Sequence, residues 1–174
     1  MAGRAKRSGV YRCGECGFES DLREAEGAGR AIVHGVAQVA NLIEVGTDLR
    51  RRREPQTWSP LEYACHLRDV LLVQRERVLL ARRTDGPSFE PMGRDERVEH
   101  DGYAEQNPRD VMRQLTDAAA IFANVLDRLE ARDWERTVLY NYPDHMERSL
   151  RWVAVHTMHE VGHHTLDVRR QLAP

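Results

Sequence analysis

Trp152-Val-Ala-Val-His156-Thr-Met-His159-Glu160-Val-Gly-His163-His164-Thr-Leu-Asp167-Val168 is the stretch on which the reading of this chain turns. Four of the protein's eight histidines lie between positions 156 and 164. Two pairs of ligand-type side chains, His159/His163 and Glu160/His164, stand at i, i+4 spacing, which in a helix stacks them one turn apart on one face. With Glu160 at the origin and about 100° per residue, Leu150, Val153, Ala154, Val161, Val168 and Leu172 cluster between roughly 20° and 120°. Glu160 and His164 (about 40°) sit at the rim of that apolar face, and His159 and His163 near 260° and 300° turn away from it. A metal ion buried among helices is therefore expected to meet Glu160 and His164, with His159 and His163 as the alternative pair.

Working outward, Ser149 is expected to cap this last helix, which runs to about Leu172. Upstream, Ile32, Val36, Val39 and Ile43 form the stripe of an amphipathic helix over about residues 22–53, ended by Pro55. Ser59-Pro60-Leu61-Glu62 carries the start signals of a second helix, with Ser59 as N-cap and Pro60 at its first position, running to about Arg83. Asn107-Pro108 starts a third, with Val111, Leu115, Ala118, Phe122, Val125 and Leu129 on its buried face. No strand-like alternation competes. The expectation is an all-α four-helix bundle, with residues 84–107 as a loop long enough for a crossover connection.

His66 lies at the edge of the second helix's stripe of Tyr63, Leu67, Val70, Leu71 and Val78. It is the natural third ligand: His66, Glu160 and His164 leave open positions, the composition of a catalytic site. Ahead of the bundle, residues 1–21 read as a basic tail leading into a knuckle, Cys13-Gly-Glu-Cys16-Gly, and residues 22–174 as the bundle. A Cys-x-x-Cys pair is half of a zinc site. His34, His100, His145 or a second subunit are candidates to complete it, and a reduced or redox-active dithiol is the other reading. Cys65 reads as a small buried hydrophobe.

Composition narrows the rest. The chain has 174 residues, 41% of them hydrophobic and 31% charged, with a net charge of −2, which fits a globular domain and gives no general case for nucleic-acid binding. The basic run at 49–53 reads as a solvated helix end. No apolar run approaches the roughly 20 residues of a membrane span, and the N-terminus has no signal-peptide pattern, so a cytoplasmic location is expected. Arg169 and Tyr103 are candidate cofactor-binding residues. His100, Tyr140 and Tyr142 are candidates for the pocket mouth.

The phrases W-S-P-L-E-Y-A-C-H-L-R-D-V (58–70) and H-E-V-G-H-H-T-L-D-V-R-R (159–170) resemble the DinB-like superfamily, in particular its actinobacterial branch near mycothiol-dependent maleylpyruvate isomerase. The resemblance covers nearly the whole chain from about Ala25 to Leu172. It implies a four-helix bundle with a divalent metal, zinc foremost and nickel or another ion as alternatives, held by His66, Glu160 and His164. It also implies a mycothiol-like thiol cofactor, an electrophilic small-molecule substrate, thiol S-transferase or isomerase activity, and a homodimer. The larger isomerases carry a C-terminal second domain not seen in this sequence, which argues against maleylpyruvate itself. The rival expectation is a non-catalytic metal-binding, stress-response or partner-binding protein on the same fold.

Overall fold

The computed structural model describes residues 11–141 and 145–173. Four long helices make the frame: α1 (Ala28–Val45), α2 (Pro60–Arg83), α4 (Pro108–Leu126) and α6 (Leu150–Leu172), with the short α3 (Arg94–His100) and α5 (Ala131–Trp134) in the connections. Each start follows from local sequence. Ser59 accepts from the Glu62 amide while Glu62 reaches back to the Ser59 amide, a complete capping box with Pro60 behind it. Asn107 caps α4, accepting from the amides of Arg109 and Asp110, and Ser149 caps α6 through the Trp152 amide.

Around the bundle the helices follow the order α1, α4, α2, α6, so α1 and α2 face each other across a diagonal, as do α4 and α6. This is the crossover order that a plain up-and-down bundle lacks. The apolar stripes meet inside: Ile32, Val36, Val39, Leu67, Leu71, Leu115, Phe122, Val153 and Val168 are buried, each worth about 1.5–3 kcal/mol of apolar burial. Gly35 lets α1 approach α6 closely, since a Cβ there would meet Val161 Cγ1 at 2.6 Å.

Three details differ from the sequence reading. The first helix begins as a 3₁₀ turn (Leu22–Gly27) and ends at Val45, not near residue 53. The basic run therefore lies in a connector, where its arginines tie loops together. Arg50 donates to the carbonyls of Ala104 and Gln106, Arg52 pairs with the buried Glu62, and Arg53 donates to the Gln171 carbonyl. The segment 84–107 is not structureless; it holds β3 (Ser88–Phe89), α3 (Arg94–His100) and a 3₁₀ turn (Tyr103–Glu105). The bundle also carries a small sheet, in which β4 (Thr137–Asn141) pairs parallel with β3 and antiparallel with β5 (His145–Ser149). Alternate residues of β4, Val138 and Tyr140, enter the core, while β5 is largely exposed and polar.

At the front, β1 (Tyr11–Arg12) and β2 (Glu19–Ser20) form a hairpin. Its turn is the knuckle: the Cys13 amide donates to the Phe18 carbonyl and the Gly17 amide to the Cys13 carbonyl, both at 2.9 Å. Gly17 has φ +73°, a conformation that favours glycine. The hairpin packs on α6. No helix among the described residues is long and apolar enough to cross a membrane.

Candidate metal centre

His66 is placed by α2, where it is 3% exposed. Glu160 and His164 are placed by α6, half-buried and one turn apart. One donor atom from each of the three lies within 4.8 Å of the other two. Tetrahedral zinc, with bonds of about 2.0–2.3 Å, sets its donors about 3.3–3.8 Å apart, so small side-chain rotations close the set on an ion. His66 Nδ1 is buried and finds no hydrogen-bond partner among the described residues, a position that normally costs free energy unless something binds there. Burial lowers the His66 pKa to about 3, which keeps the imidazole neutral, the form that ligates metals.

The surroundings fix the ligands. Trp58 lies against His66 with ring centroids 4.9 Å apart, and Tyr63 against His164 at 5.3 Å. His164 Nδ1 is 2.9 Å from Asp167 Oδ2. Burial alone would raise the Asp167 carboxyl, but the His164 contact more than offsets it and holds the pKa below its usual range. An ionised carboxylate only accepts, so Nδ1 is the ring nitrogen that donates to Asp167, and Nε2, 3.7 Å from Glu160 Oε2, is the one turned toward the triad.

The triad lies on the wall of a cavity of about 570 Å³. Arg77, Arg94, Tyr140 and His156 face the same space. The His156 ring stacks on Trp152 at 4.5 Å, and its Nε2 lies 3.8 Å from Glu160 Oε1. Burial lowers the pKa of His156. Arg77 donates to the Tyr140 hydroxyl, and the Arg94 guanidinium lies over the Trp58 ring.

Residues 37–168 match the DinB superfamily. The chain belongs to the DinB superfamily. No curated protein sequence matches this DinB-superfamily chain. Among solved structures it is similar to YfiT from Bacillus subtilis, described as a probable metal-dependent hydrolase with an unusual four-helix bundle topology. The TM-score is 0.75 at 16% identity over 94% of each chain, a likeness that shows the shared fold.

The structure places several residues singled out in the sequence away from the triad. Tyr103 is wholly buried and gives its hydroxyl to Asp69 at 2.7 Å, outside the cavity. Asp69 also accepts from Arg68 and Arg97, so Tyr103 belongs to a buried ion network. Arg169 is exposed and donates to Gln38 of α1, also away from the cavity. Tyr140 does line the cavity. His100, at the end of α3, does not, and Tyr142 lies outside the described residues. His34 contacts Gln38 and His145 contacts Asn141; neither approaches the knuckle. The alternative pair His159 and His163 also lines the cavity, but gathers with Cys13 and Cys16 and not with His66. His156, Arg77, Arg94 and the orienting role of Asp167 were missed. The polar stretch around Arg94 has no helical stripe to reveal its place, and His156 lies one turn before Glu160, a spacing open to reading.

Proposed function

We propose that this protein is a divalent-metal-dependent enzyme that activates a low-molecular-weight thiol of the mycothiol kind for transfer to, or isomerisation of, an electrophilic small molecule. The observation that carries this reading is the convergence of His66, Glu160 and His164 on the wall of a roomy cavity. Three protein donors leave further coordination positions to a substrate, unlike a closed structural site. A divalent ion held there, zinc or nickel, supplies Lewis acidity that lowers the pKa of a thiol or water in contact with it.

The rest falls to the chain's own side chains. His156 Nε2, beside Glu160, is the position that receives the proton a thiol gives up. Arg77 and Arg94 offer guanidinium groups to a carboxylate on the thiol or the electrophile. The chain's cysteines leave the nucleophile's role to the co-substrate. Cys65 is buried and its thiol is pushed up to about 12, far from reactive, and Cys13 and Cys16 do not line the cavity. A homodimer in a reducing cytoplasm completes the proposal, and light scattering on the purified chain tests the dimer.

The likeness to YfiT favours a second reading, hydrolysis, with water in place of the thiol. Zinc- or nickel-loaded protein assayed with mycothiol and chlorodinitrobenzene, and separately with a nitrophenyl ester and no thiol, distinguishes the two. Thiol-dependent turnover that disappears in His164→Ala with helix content retained supports thiol transfer. Thiol-independent ester cleavage with the same loss supports hydrolysis. Metal binding without either turnover leaves a non-catalytic metal-binding protein.

A further inference from the structure

Along the same wall of the cavity, one residue round α6 from Glu160 and His164, a second set of donors comes together. Cys13 and Cys16 from the hairpin meet His159 and His163 from α6, with one donor atom of each within 4.8 Å of the rest. Cys13 Sγ is 3.8 Å from His163 Nδ1, although the two residues are 150 positions apart in the chain. Both cysteines are free thiols and Cys13 is buried.

We infer that these four residues form a second, structural zinc site that staples the N-terminal hairpin to the helix carrying Glu160 and His164. The inference stands independently of the proposed activity. Two thiolates and two imidazoles are a soft, tetrahedral donor set that selects zinc, and the Cys-x-x-Cys and His-x-x-x-His spacings are those of closed structural sites. Two further observations point to an ion. His159 Nε2 is buried without a hydrogen-bond partner among the described residues, while Phe18 of the hairpin stacks on its ring at 5.1 Å. His163 turns Nδ1 toward Cys13 and Nε2 toward carboxylates, Glu15 at 3.5 Å and Asp167 at 3.6 Å, the outer arrangement that orients a zinc-bound imidazole.

The placement gives the site a consequence. His159 and His163 each precede a member of the Glu160/His164 pair by one residue, so a single stretch of α6 is held from two sides. Glu15, between the two cysteines, lines the cavity. Zinc at the knuckle therefore fixes part of the cavity wall as well as the rotation of α6.

Cobalt(II) substitution tests the site directly. Wild-type protein loaded with cobalt is expected to show a thiolate-to-cobalt charge-transfer band in the near ultraviolet and the strong visible absorption of a tetrahedral ion. The charge-transfer band is expected to persist in His66→Ala and to vanish in the Cys13→Ser/Cys16→Ser double variant. His163→Cys, which exchanges an imidazole donor for a thiolate and keeps four donors, is expected to strengthen it. Wild-type protein that binds cobalt with no charge-transfer band overturns the proposal. So does a band left unchanged when both His159 and His163 are replaced by Ala, since the thiols would then belong to another ligand set.

Discussion

Asp167 holds His164 from behind: its Oδ2 lies 2.9 Å from His164 Nδ1, and the same oxygen lies 3.6 Å from His163 Nε2. One carboxylate thus orients an imidazole of the cavity triad and touches an imidazole of the knuckle set. Asp167→Asn keeps the shape and removes the charge that fixes the His164 tautomer. We predict that it weakens metal binding at the His66, Glu160 and His164 set by about 10–100-fold, with the fold intact. Competition against a chelator of known affinity measures the change. Glu15 also faces His163, so the knuckle site is predicted to lose less.

Gly35 and Val161 set the distance between α1 and α6, and Val161 is the neighbour of Glu160. A methyl at position 35 overlaps Val161 Cγ1. Gly35→Ala is predicted to cost about 1–3 kcal/mol and to lower metal affinity by shifting the turn that carries Glu160. Adding Val161→Ala makes room for the methyl, so the double variant is predicted to be less destabilised than the sum of the single changes. Urea unfolding of all four proteins gives the coupling.

Glu62 and Asp69 contribute to the response to acid. Burial raises both carboxyls, but Arg52 and Ser59 for Glu62, and Arg68 and Tyr103 for Asp69, more than offset it, so both are held below their ordinary 4.5 and 3.8. Their contribution is complete above those ordinary values and is lost as pH falls through the lower values of the folded state. Stability is therefore predicted to drop with acidification below about pH 4.5. Glu62→Gln is predicted to be less stable than wild type at pH 7 by about 1–3 kcal/mol, with the gap narrowing as pH falls. Urea midpoints across the pH range check both statements.

Tyr103 contributes to the same buried network. Its hydroxyl is one of several donors to Asp69, so Tyr103→Phe is predicted to cost about 1.5–3 kcal/mol and to leave metal content unchanged. A loss of metal in that variant would connect Tyr103 to the site after all.

The helices were legible because each carries its instructions locally: Ser59, Asn107 and Ser149 as caps, and the stripes of Ile32 to Ile43 and Val111 to Leu129, although the helix itself ends at Leu126. Glu160 and His164 stood out as a candidate pair because a wheel of α6 separates them from their neighbours, and the structure places a donor atom of each within 4.8 Å of one on His66. Other elements gave no such signal. β3 is two residues long, β5 is polar, and α3 buries nothing, so periodicity had little to report. The meeting of Cys13 and Cys16 with His159 and His163 is a tertiary event between distant segments. Its only trace was that each pair, taken alone, has the spacing of half a zinc site. Arg169 and Tyr103 lie away from the cavity, which the sequence could not show, because it gives residue type but not the direction in which a helix end or a long connector turns.

Anomalous diffraction from zinc-soaked crystals of the full chain tests the bundle site most directly. The prediction is a peak bounded by His66, Glu160 and His164, next to the cavity. A map with no density there, at a zinc concentration that fills other sites, would contradict the metal centre and the chemistry proposed for it.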